Sequence, residues 1–199
     1  AVTVSGLTLS GAQSGNYALA NSGANAVTSA KITPASLTVS ASANDKVYDG
    51  SDVATINLTV TGLKGTDASP GSYSATYTSA AFADINVGTG ISVNISGLSI
   101  TSSLPVGNYT VNNSVSTTAN ITPKTLTVTA NNASMTYGDA YPAFAYSTSG
   151  WVNTAEQNNA ASLLTGVVMS ASAINAGTYV GNIVASGGVA RNYTMNYVS

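Results

Sequence analysis

Apolar residues alternate with Ser, Thr and Asn over 37–41, 53–60, 73–82, 91–100, 108–111 and 117–121. That period of two turns one face of a strand to a core and the other to water. Turn residues separate the stretches. Asp49-Gly50 supplies a permissive φ, 65–71 opens and closes on glycine and contains Pro70, and Gly88 and Gly90 are expected to break the chain again. Short strands at this spacing predict an all-β fold, a small sandwich of immunoglobulin type.

The pattern recurs. Ala119-Asn120-Ile121-Thr122-Pro123-Lys124-Thr125-Leu126-Thr127-Val128 is a near copy of Ala30-Lys31-Ile32-Thr33-Pro34-Ala35-Ser36-Leu37-Thr38-Val39. Proline lacks the amide hydrogen that a central strand needs, so each copy reads as a joint between two strands. Ahead of the first joint, Val4-Ser5-Gly6-Leu7 lines up with Ile95-Ser96-Gly97-Leu98, and Gly15-Asn16-Tyr17 with Gly107-Asn108-Tyr109. Behind the second, Tyr137-Gly138-Asp139 stands for Tyr48-Asp49-Gly50, Ser149-Gly150-Trp151 for Thr61-Gly62-Leu63, and Asn192-Tyr193-Thr194 for Asn108-Tyr109-Thr110. The chain therefore divides into 1–34, the last strands of one repeat; 35–123, a complete repeat; and 124–199, a third expected to lack its closing strand.

One stretch departs from strand periodicity. Thr154-Ala155-Glu156-Gln157 has the form of a capping box, and Ala160, Ala161, Leu163 and Leu164 follow before Gly166. A short helix is expected near 154–165, which would make the third unit resemble a β-grasp. The matching stretch of the second unit, with Gly65, Pro70 and Gly71, is not expected to form one.

Composition sharpens this picture. Hydrophobic residues are 44% of the 199 and charged residues only 6%, against about 25% charged in ordinary soluble domains. The polar surface must be Ser, Thr and Asn. Eleven Tyr and abundant Val, Ile and Thr argue for folded β-structure over disorder. A net charge of -2 with five basic residues leaves no stripe to neutralise phosphates, so nucleic-acid partners are not expected. No apolar run reaches the roughly 18 to 20 residues of a membrane span, and no membrane insertion is expected. Without cysteine, neither a disulfide framework nor a thiolate site can form.

Candidate chemistry is sparse. Histidine is absent, which removes the commonest general base and metal ligand, and no spacing favours a carboxylate pair; no enzyme and no cofactor are expected. Glu156, the only glutamate, is placed to complement a helix dipole. Asp45, Asp49 and Asp52 form the acidic cluster from which a calcium site could be built, against the simpler reading of a charged turn. Trp151, with Tyr141, Phe144 and Tyr146 near it, could line a sugar-binding face. Its counterpart Leu63 points instead to a core position. Tyr48 and Tyr137, before their Gly/Asp turns, are expected to pack their rings and satisfy their hydroxyls on backbone.

Lys46-Val47-Tyr48-Asp49-Gly50-Ser51, the run Phe82 to Gly90, Gly107-Asn108-Tyr109 and Ile121-Thr122-Pro123 together resemble the YDG-type repeat of large secreted bacterial adhesins. Those adhesins include filamentous-haemagglutinin-like exoproteins. Leu126-Thr127-Val128 with Tyr137-Gly138-Asp139, Pro142, Tyr146, Gly150 and Asn192-Tyr193-Thr194 resembles the related MBG-type repeat. The resemblance implies an extracellular or cell-surface stalk of many copies and carries over no catalytic residues. Neighbouring repeats of the same protein are then the expected partners, with end-to-end self-association if residues 20–34 of one chain donate the strand that another lacks. Host glycans or a host protein at an aromatic patch near Trp151 are the alternative.

Overall fold

The computed structural model describes residues 2–4, 6, 8–18, 26–68, 73–102, 107–112, 114–172 and 175–199. The expected matches at Ser5 and Leu7, the donor residues 20–25, and the proline of the 65–71 turn lie outside the described residues. Two short strands, β1 (Val2–Val4) and β2 (Ala26–Thr28), open the chain as an antiparallel pair.

The second unit runs β3 (Ala35–Ala43), β4 (Lys46–Val47), β5 (Ile56–Thr61), a 3-10 turn at Gly65–Ala68, β6 (Tyr73–Thr76), β7 (Ser79–Phe82), β8 (Gly88–Ser96), β9 (Ser99–Ser102), β10 (Tyr109–Val111) and β11 (Ser116–Thr122). One sheet has the order β10-β3-β5 and the other β4-β11-β8-β7, with the β6-β9 pair prolonging the latter's hairpin. The alternation read from sequence now has its physical meaning. Leu37 and Val39 on β3 and Val60 on β5 are buried against Tyr73, Leu98, Ile100 and Tyr109. Farther along the same strands Ile56, with Ala41, Ala43 and Leu58, meets Phe82, Val93, Ala119 and Ile121. Val93 at 0% and Ile121 at 1% exposure each contribute about 1.5–3 kcal/mol by leaving water.

The all-β expectation holds, and two of the second unit's pairings are parallel: β10 on β3 and β4 on β11. The predicted strands 73–82 and 91–100 are each broken in the middle. Gly97, at φ +65°, bends the hairpin where a Cβ would collide with the side chain of Thr78. Gly88 and Gly90, expected to interrupt the chain, lie inside β8. Gly90 takes a positive φ opposite an irregularity between Ala119 and Ile121, and Asn120 Oδ1 accepts its N–H at 2.8 Å, so the ladder bulges and continues.

The third unit repeats the scheme with β12 (Lys124–Ala130), β13 (Tyr146–Ser149), α1 (Thr154–Asn158), α2 (Ala160–Leu163), β14 (Val168–Ser170), β15 (Val184–Ser186) and β16 (Tyr193–Val198). Its sheet order, β13-β12-β16, reproduces β5-β3-β10, and the parallel pair Lys124↔Tyr193 reproduces Ala35↔Tyr109. Leu126 and Val128, both at 0% exposure, centre a core closed by Leu164, Ala185 and Ala190. Gly62 and Gly150 mark the same corner in the two units. Both have a left-handed φ, +101° and +103°, and a Cβ would strike the backbone carbonyl of Ser36 or of Thr125.

The helix near 154–165 is present as two short pieces, but its cap lies one residue earlier than expected. Asn153, in extended conformation, accepts the Glu156 N–H on its side chain at 2.9 Å. Among the described residues the second unit's counterpart stretch forms a 3-10 turn, Gly65–Ala68, and no α-helix.

Candidate functional site at the joint between units

One residue, Pro123, separates β11, whose Ile121 belongs to the second unit's core, from β12, whose Leu126 belongs to the third's. So short a link forces the units into contact. Behind it, Tyr193 borders both cores. Its ring stands edge-on to Tyr48 at 5.6 Å between centroids and to Trp151 at 5.0 Å. Gly50, at φ +73°, faces Val152 so closely that a Cβ would lie 3.0 Å from its methyl.

Polar groups lock the contact. Glu156, lifted by α1, accepts hydrogen bonds from two phenols: Tyr48 of the second unit on Oε1 at 2.6 Å, and Tyr193 of its own on Oε2. The Tyr193 hydroxyl also accepts the Val152 N–H at 3.0 Å. Burial first, and then the bond to Glu156, raise the pKa of both phenols. Ionising either would place a second negative charge against the carboxylate. A few residues away, buried Asn192 accepts the Val87 N–H on Oδ1 at 3.0 Å and donates Nδ2 to Asn86 at 3.0 Å. Asn86 is itself held by Asp84, which accepts its backbone and side-chain N–H groups at 2.9 and 2.7 Å. Those bonds pull the Asp84 pKa down.

The same clamp occurs inside the second unit. Tyr109 donates to Asp67 at 2.7 Å and accepts the Lys64 N–H at 3.1 Å, as Tyr193 does with Glu156 and Val152. In each three-stranded sheet, a tyrosine at the start of the strand parallel to the central one, β10 or β16, thus pairs with an acid that follows the strand on the other side, β5 or β13.

The residues singled out from sequence are dispersed. Asp45 accepts from Asn120 through both oxygens, at 2.7 and 3.0 Å, which lowers its pKa. Asp49 pairs with Lys46 at 2.7 Å and accepts the Ser51 N–H, and Asp52 offers its backbone carbonyl to Phe82. Among the described residues no three His, Cys, Asp or Glu side chains converge as metal ligands. Trp151 is half-buried in the third core and donates its indole N–H to Thr148 at 2.9 Å. Tyr141 packs on Phe144 in an open groove of the third unit, and Tyr146 lies on β13. Tyr48 was expected to satisfy its hydroxyl on backbone and meets a carboxylate instead. Glu156 does more than complement the helix dipole, since its carboxylate accepts from both phenols. The missed signal was that Asp67 and Glu156 follow the matching glycines Gly62 and Gly150.

Residues 33–119 match the family model of the YDG domain, and residues 126–199 that of the MBG domain of YGX type. No curated protein and no solved structure matches the chain. The duplicated tyrosine clamp and the division at Pro123 thus belong to a chain made of a YDG domain followed by an MBG domain of the YGX type.

Proposed function

We propose that this chain is a structural segment of an extracellular bacterial adhesin stalk or surface filament, a spacer and assembly module that performs no catalysis. The observation that carries this reading is the joint. A one-residue link, a tyrosine shared between two cores, and two sets of side-chain hydrogen bonds fix the direction in which one domain leaves the other. Repeat arrays confine contacts to neighbours, so such a joint lets length grow by adding units. A surface nearly free of charge offers few ionic contacts along the way. The glycan-binding alternative would draw on Tyr141, Tyr146 and Trp151, of which Trp151 is engaged in the core.

Small-angle scattering of the monomer tests the spacer reading. A single fixed arrangement of the two domains is expected to fit the profile, and the Tyr48→Phe, Asn192→Ala double variant to broaden it. Free reorientation of the domains in the unaltered chain would overturn the proposal.

A further inference from the structure

The joint brings together two rings and a proton acceptor in the arrangement that oxidative coupling needs. Tyr48 of the YDG domain and Tyr193 of the MBG domain stand 5.6 Å apart between centroids, at an interplanar angle of 81°. Both hydroxyls donate to one carboxylate, Tyr48 to Oε1 of Glu156 and Tyr193 to Oε2. The ring carbons beside those hydroxyls are therefore gathered around the same group. Trp151 lies 5.0 Å from the Tyr193 ring and is only partly buried, whereas Tyr48 is 5% exposed. A phenol gives up an electron more readily when an acceptor stands ready for its proton, and Glu156 is that acceptor. Its carboxylate is partly exposed, so each proton can pass on to water before the next arrives. Packing shields a radical on either ring from solvent and holds the other ring as the nearest reactant.

We propose that Tyr48 and Tyr193 form a carbon-carbon cross-link when the protein meets a one-electron oxidant of the peroxidase or high-valent metal class, locking the two domains together. Trp151 is where the oxidation enters, and the Tyr193 ring relays it inward. Two electrons leave, one from each phenol, and the oxidant takes both. Each hydroxyl loses its proton through Glu156. The two phenoxyl radicals then join at ring carbons ortho to their oxygens. Those carbons shed their hydrogens and the oxygens regain theirs, so both phenols are restored and the chain has lost two hydrogen atoms. The proposal concerns regulation of the joint and rests on its reading as a fixed link. With no cysteine in the chain, the bond between rings takes the part of a disulfide, closing a long loop and constraining the unfolded state.

Dilute protein illuminated with tris(bipyridine)ruthenium(II) and persulfate, which together generate such an oxidant, tests this. The expected product is a monomer lighter by two hydrogens, with the fluorescence of dityrosine and a higher urea midpoint. After trypsin, peptides 47–64 and 192–199 should be joined through Tyr48 and Tyr193. Tyr193→Phe keeps its ring and should abolish the pair. Glu156→Gln, a weaker proton acceptor, should lower its yield several-fold at equal light dose. The cross-link is overturned if the pair is missing while Tyr17 and Tyr137, 72% and 71% exposed, are oxidised, or if the bond lies on Tyr197 in place of Tyr193. An unchanged yield in Glu156→Gln would overturn the role given to the carboxylate. Scattering from the untreated monomer judges the spacer reading separately, since rigid domains whose tyrosines fail to couple sink this proposal alone.

Discussion

Tyr48 and Glu156, 108 positions apart, share a hydrogen bond of 2.6 Å across the boundary between two domains. Hydrogen bonds to a charged group contribute about 1.5–3 kcal/mol when shielded from water, and less where solvent reaches them. Tyr48→Phe keeps the ring in its core and removes only the hydroxyl. It is expected to cost about 1–2 kcal/mol in urea unfolding and to separate the melting of the two domains.

The alkaline limb of stability should be steep. Both Tyr48 and Tyr193 have pKa values raised above the ordinary 10.0. Above that pH the unfolded chain loses phenolic protons that the folded chain keeps, so folding becomes less favourable as pH rises. Their contribution is complete below about pH 10 and is lost progressively above it. Urea midpoints measured through this range should fall, and fall less in Tyr48→Phe.

Ile121 and Ile32 make a matched control. Ile121→Ala, at a site 1% exposed, should cost about 2–5 kcal/mol. The same change at Ile32, 97% exposed, should alter the stability of the monomer by less than about 0.5 kcal/mol. Equal effects would contradict the burial of one and the exposure of the other.

Gly62→Ala and Gly150→Ala should each destabilise their own domain by more than about 1 kcal/mol. The new methyl meets a carbonyl, and the backbone is left-handed. Alanine at Gly138, also left-handed but with open space around its Cβ position, should cost less. Thermal unfolding of the three variants decides it.

Trp151→Ala should unfold the MBG domain before it affects any ligand, at a cost of about 3–5 kcal/mol. A glycan array probed with the folded chain and with Tyr141→Ala separates the two roles. Binding that disappears in Tyr141→Ala with stability unchanged would favour the recognition alternative.

Much of this was legible in the residues. The alternation at Leu37, Val39 and Leu126, Val128 set the central strands, and the Ile-Thr-Pro copies located the joint. Pairing direction was not legible, because period two is the same for parallel and antiparallel neighbours; nothing in Tyr109-Thr110-Val111 says that it runs alongside β3. The breaks at Gly97 and the passage through Gly90 depended on what lay opposite, Thr78 in one case and Asn120 in the other. The role of Glu156 at the joint is hidden from local sequence for a similar reason. Its partner Tyr48 comes from another domain, and local helix rules contain no information about it.

The parallel pairing of β12 with β16 has a mechanical consequence. A pull applied at Lys124 and at Val198 drags these neighbours lengthwise in opposite directions, so the rungs from Lys124↔Tyr193 to Thr129↔Val198 share the load and must give way together. Antiparallel neighbours tugged from adjacent ends would instead open one rung at a time. Under tension, the MBG domain is loaded in shear.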